Sequence, residues 1–184
     1  TLAAAETVVV EPTDTLRERA TKLGVTSYAS AEEIADTAAP SLIIFAVKPQ
    51  VILDVVPAYV RFAKGATYLS VAAGTPVSAF ERILGEDAAV IRCMPNTPAS
   101  IGKGMMVTVN NANVSSEADV FVRTLLAANG EVAAVNDEAL MDAVTAVSGS
   151  GPAYVFHFIE CLTAAGEAAG LPIETAKLLA MQTV

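Results

Sequence analysis

Up to about Val135 the chain alternates short β-branched or aliphatic runs with stretches of helical periodicity. That rhythm selects a parallel sheet covered by helices, because each parallel connection must be long enough to hold a crossover. The strands read as TVVV (Thr7 to Val10), SLIIFAV (Ser41 to Val47), TYLSVA (Thr67 to Ala72), AAVIRCM (Ala88 to Met94), MMVTV (Met105 to Val109) and a short EVAAV. SLIIFAV is apolar on both faces, which predicts a central parallel strand. Helices are predicted from about Thr15 to Leu23, stopping at Gly24, and from about Gln50 to Lys64, ending at Gly65. SAEEIA predicts a helix opened by a capping box of Ser30 and Glu33, and TPVSAFERIL one capped by Thr75 with Pro76 first. Gly85 and Gly130 each follow a helix. From Asp137 onward the strand signal ends and only helical patterns remain, the last starting at about Ile173. The chain therefore divides into residues 1–136, a doubly wound α/β domain, and residues 137–184, the start of a helical domain.

With 184 residues, 53% of them apolar, the chain can bury a sizeable core. Its net charge of −9 argues against nucleic acid as a partner, since that affinity rests on clustered Lys and Arg. The longest stretch without charged residues, Ala143 to Ile159, contains Ser-Gly-Ser-Gly-Pro and makes a poor membrane span. The opening TLAAAETVVVEP lacks the basic and apolar segments of a secretory signal. Two cysteines, Cys93 and Cys161, stand far apart in sequence and His157 is the single histidine, so no metal site or histidine-based nucleophile system is expected.

Ligands of open parallel sheets bind beyond the carboxyl ends of the strands. The segments that follow the strands here are AVKPQ, AAGTP and MPNTPASIGKG, each small, polar or rich in Gly and Pro. They read either as ordinary strand-to-helix turns or as a cradle that lets a flat cofactor lie close to the backbone. Lys48 is either a solvated lysine or a cation facing phosphate or substrate. Asn96 either bonds its own loop as an Asx turn or lines a site. Glu138 either favours a helix dipole or meets a ligand. Ser30 is accounted for by capping, and His157 reads as a packed or interface histidine. AVSGSGPAYVFHF reads as a tight loop that opens a helix at Pro152, with backbone amides aimed at whatever lies in front.

Taken in order, FAVKPQ, SVAAGTP, VIRCMPNTPASIGKG and AVSGSGPAYVFHFIE closely resemble the pyrroline-5-carboxylate reductases, and the likeness runs from one end of the chain to the other. The resemblance implies a Rossmann-like sheet domain followed by an all-helical dimerisation domain. It also implies reduction of 1-pyrroline-5-carboxylate to proline by NADPH or NADH, without metal or covalent intermediate. On this likeness Ser30, Ala46, Val47, Lys48, Pro49, Val71, Ala72 and Ala73 would line the cofactor. Asn96, Glu138, Ser148, Gly149, Ser150 and Gly151 would hold the substrate, with Glu138 also near the nicotinamide. Glu11 suits a ribose hydroxyl, whereas Arg17 and Arg19 suit a 2′-phosphate. The expected setting is the cytoplasm, and the expected partner a second copy in a homodimer or larger homo-oligomer. The family's opening strand with its Gly-rich loop is expected before Thr1, and its Gly-Gly-Thr-Thr segment beyond Val184. The alternatives are another dehydrogenase of the same architecture and a dinucleotide-binding module without chemistry.

Overall fold

A computed structural model describes residues 3–184; Thr1 and Leu2, where the first expected domain begins, lie outside the described residues. Two sheets form. β1 (Val8–Val10) and β2 (Thr26–Tyr28) pair in parallel around α1 (Asp14–Lys22), which ends ahead of Gly24 at a φ of 76°. The larger sheet has the order β3 (Leu42–Phe45), β4 (Thr67–Ser70), β5 (Ala89–Met94), β6 (Gly104–Asn110) and β7 (Gly130–Ala134). All its pairs are parallel except β5 with β6, which run antiparallel, so the expectation of a purely parallel sheet needs correction. The reason is the connection: residues 95–103 are too few for a crossover, which takes about a dozen residues or more.

The second correction concerns SLIIFAV. Among the described residues its strand is an edge of the larger sheet rather than a centre, and Ile44 is 45% exposed. β4, in contrast, is buried along its whole length. One core lies on the face where Phe45, Tyr68, Val90 and Phe80 meet, with Phe45 stacked between the other two rings at centroid distances of 5.9 Å. A smaller core on the opposite face gathers Leu69, Ile91, Cys93, Met106 and Val122 beneath α4 (Ser116–Leu126).

The predicted helices are shorter and less regular than their patterns. Residues 50–64 do not form one helix: a 3₁₀ turn at Pro49–Val51 leads into α2 (Ile52–Val55) and then a 3₁₀ stretch, Val56–Phe62. Pro57 stands second in that stretch and supplies no amide for an α-helical bond. SAEEIA gives only one 3₁₀ turn, Ala31–Glu33, and the Ser30 side chain does not cap it. α3 (Val77–Leu84) begins one residue later than expected, with Pro76 rather than Thr75 at the cap, and it ends at Gly85 with φ 102°.

From Glu138 onward the structure is helical: a 3₁₀ turn (Glu138–Leu140), α5 (Met141–Val144), a π-helical turn (Thr145–Gly149), α6 (Gly151–Ala168) and α7 (Ile173–Thr183). α6 and α7 pack as an antiparallel pair through small residues; a Cβ placed on Gly166 would come 3.1 Å from that of Ala176. No residue of α6 is buried, and Tyr154, Phe156 and Phe158 are all more than half exposed.

Candidate functional site

Ser-Gly-Ser-Gly-Pro was expected to break the helix as a loop, and it does not. The backbone stays helical through Ser150, at φ −86° and ψ −17°, and the turn widens instead: the Ser150 N–H donates to the Thr145 carbonyl, five residues back, at 2.8 Å. Ser150's amide is therefore engaged within the turn. The widening follows from Pro152, which has no N–H for the Ser148 carbonyl four residues earlier and whose ring would crowd it in a regular helix. The Thr145 and Ser148 hydroxyls donate back to the Met141 and Val144 carbonyls, at 2.8 and 3.1 Å, a pattern that itself bends helices.

The carbonyl that Pro152 leaves free is taken by Asn96. Its Nδ2 donates to the Ser148 oxygen at 3.1 Å, while its Oδ1 accepts from the Met105 N–H at 2.9 Å. Asn96 is thus no Asx turn. One amide ties the end of β5 and the start of β6 to the π turn, 52 residues further along the chain. Gly149 fits beside it because a Cβ there would lie 2.4 Å from Cε of Met94. Asn96, Ser148 and Gly149 are in this way brought together, with Ser150 and Gly151 next in the same half-buried turn.

A second cross-link lies deeper. Glu138 does not serve its own helix: its Oε1 accepts from Arg92 Nη1 at 2.8 Å and from the N–H of Val77, the first residue of α3, at 2.9 Å. The dipole it complements is that of α3. Arg92, with 8% of its side chain exposed, pairs in register with Ser70 and Val109 near the carboxyl ends of β4 and β5. Sequence reasoning passed over it, although an arginine inside the apolar run AAVIRCM is a signal of a buried charge that needs a partner.

The segments expected to line a cofactor follow two neighbouring strands. Phe45 pairs with Ser70, and the Val71 N–H donates to the Phe45 carbonyl at 3.2 Å, so Ala46–Pro49 and Val71–Ala73 leave the sheet side by side. Ala46, Lys48, Pro49 and Ala73 are exposed and Val47 and Val71 half-buried, whereas Ala72 is enclosed in the core and its N–H donates to the Ser70 hydroxyl at 3.2 Å. Ser30 precedes the 3₁₀ turn Ala31–Glu33. The turn it opens is clamped by Arg61, which donates to the Ala31 carbonyl at 2.7 Å and pairs with Asp36 at 3.1 Å.

At the end of β1, Glu11 accepts from the Thr13 N–H at 2.8 Å, which holds its carboxyl below the usual range, and Arg17 is bound to its own loop at the Glu11 and Pro12 carbonyls. Burial pushes the Cys93 thiol up to about 12, leaving it without thiolate character. Cys161 does meet an imidazole, with Sγ 3.7 Å from Nε2 of His157, on the open face of α6. Among the described residues no group of three or more His, Cys, Asp or Glu is placed to hold a metal, and no helix is long and apolar enough to cross a membrane.

Residues 138–184, from Glu138 through both helices, match the family model described as pyrroline-5-carboxylate reductase dimerisation. A pyrroline-5-carboxylate reductase of Pseudomonas aeruginosa is 43% identical over 155 residues, 84% of this chain and 56% of that protein. Among solved structures, a pyrroline-5-carboxylate reductase from Coxiella burnetii superposes with a TM-score of 0.85 at 32% identity, over 96% of this chain and 66% of that one. The Plasmodium falciparum pyrroline carboxylate reductase with NADP bound gives a TM-score of 0.77 at 33% identity, over 86% and 60%. The chain thus spans between about half and two thirds of the relatives it matches. The agreement runs over most of this chain, at identities well above those at which only a fold is shared; the chain belongs to the pyrroline-5-carboxylate reductase family.

Proposed function

We propose that this chain provides the sheet and the first helices of an NADPH- or NADH-dependent reductase that converts 1-pyrroline-5-carboxylate to L-proline. The observation that carries the reading is the Asn96 clasp, which fixes the π turn against the strand ends beside the loops suited to a dinucleotide. The exposed backbone and small side chains at Ala46 and Ala73, on neighbouring strands, fit a flat nucleotide lying across them. Ala46, Val47, Lys48, Pro49, Val71, Ala72 and Ala73 would hold it there, Ala72 through its backbone, with Ser30 toward the adenine end. When bound, NAD(P)H supplies the hydride.

The chain's own residues have a simpler task. Asn96, Glu138 and the turn Ser148–Gly151 hold a small anionic ring in one orientation and exclude water from it, and Glu138 favours the protonated imine by its charge. Residues 1–136 form the nucleotide domain and 137–184 the start of the helical one. The exposed apolar face of α6 supports a second copy as partner, in a homodimer or larger homo-oligomer, and the enzyme works in the cytoplasm. The test is oxidation of NADPH and NADH by the complete gene product with pyrroline-5-carboxylate. Proline formation is expected; nucleotide binding without turnover would favour the non-catalytic module instead.

A further inference from the structure

Arg92 is a buried cation to which none of the roles above is given. A buried ion pair is a poor source of stability, since apolar residues of similar volume do as well or better, so its presence at the strand ends calls for another explanation. Two details supply one. Both hydrogen bonds to Glu138, from Arg92 and from Val77, fall on the same oxygen, Oε1. Oε2 accepts none among the described residues, and the side chain is 32% exposed.

We infer that Arg92 is a positioning residue: with the Val77 N–H it fixes one oxygen of Glu138 and leaves Oε2 as an oriented acceptor for a polar hydrogen of the bound ligand. This rests on the reading of the site as the place where a nicotinamide and an imine meet. An unanchored glutamate samples several rotamers, each lost on binding; an anchored one has lost them already. The polar hydrogen is either a hydroxyl or amide of the nucleotide or the N–H of the protonated imine.

The experiment compares Arg92→Met, Arg92→Lys, Glu138→Gln and the double variant Arg92→Met/Glu138→Gln in the complete gene product. The double variant buries no lone charge and so guards against a failure to fold. Readouts are NADPH affinity by fluorescence, the KM for pyrroline-5-carboxylate at saturating NADPH, kcat, and the urea midpoint. Arg92→Met is expected to weaken NADPH binding or raise the imine KM by about tenfold, according to which ligand carries the hydrogen. Arg92→Lys should recover much of the loss, and the double variant should be no worse than the poorer single one. A lower urea midpoint with affinity, KM and kcat all within twofold of the parent would overturn the inference. A parent protein that binds NADPH but does not reduce the imine would overturn the functional reading alone, and the nucleotide affinity of Arg92→Met would then decide the role of Arg92.

Discussion

Pro57 and Pro152 each fall inside a helical stretch, and the backbone answers them in opposite directions. Around Pro57 it tightens into a 3₁₀ run, whereas before Pro152 it widens into a π turn. The difference lies in what surrounds the carbonyl four residues earlier. Leu53 is half exposed, and no side chain among the described residues donates to its carbonyl. Ser148 is half-buried beside the ends of β5 and β6, and its carbonyl is met by Asn96. A proline on the surface merely shapes a helix; a proline against the sheet creates an acceptor that another part of the chain must satisfy.

The strongest way to break this contrast is Asn96→Leu, which leaves the Ser148 carbonyl and the Met105 N–H without partners. We expect a loss of about 2 kcal/mol in urea unfolding, the usual cost of stranded buried polar groups, and a fall of more than tenfold in kcat/KM. A cost no larger than that of Pro57→Ala would show that the clasp is not what separates the two regions. Pro152→Ala should come next. It restores an N–H for Ser148, lets the turn relax toward a regular helix, and so lowers activity about tenfold while stability changes by under about 1 kcal/mol. In that background Asn96→Leu should cost less than it does alone, a non-additivity that a double-mutant cycle reads directly.

Glycines sharpen the same comparison. Gly149→Ala must displace the Met94 tip, a flexible group, and is expected to cost about 1 kcal/mol. Gly65→Ala, at the end of the Pro57 stretch, meets nothing within 4 Å and should change stability by less than about 0.5 kcal/mol. Pro57→Ala is the smallest expected effect on function: activity unchanged, and stability within about 1 kcal/mol of the parent. A measurable loss of turnover there would mean that the 3₁₀ run also reaches the site.

What could be read from the residues follows the same division between local and distant causes. β4, β5 and β6 lie where their apolar runs put them, and α1, α3 and α7 start within a residue or two of their patterns. The direction of β6 is legible too, because residues 95–103 fall short of the reach of a crossover. Other features were not legible, because they depend on partners far along the chain. Nothing near Asn96 announces Ser148, and nothing near Glu138 announces Val77. The π turn is the clearest case. Ser-Gly-Ser-Gly-Pro has the composition of a loop, and only an acceptor satisfied from outside lets it remain helical. SAEEIA failed for the converse reason: a correct capping pattern is worth about 1 kcal/mol, too little to hold a helix that the Arg61 clamp and its short length keep to a single turn.

On the proposed pairing with a second copy, the open face of α6 makes the protein's stability a matter of dilution. The sheet domain carries two buried clusters, whereas α6 buries none of its residues and approaches α7 closely at Gly166 and Ala176. A second copy covering its aromatic rings, as proposed, contributes free energy that depends on the amount of protein present, so the helical part should then have no single melting temperature. As the solution is thinned, α6 and α7 should fray first while the strands persist, and the Asn96 clasp would then open from its helical end.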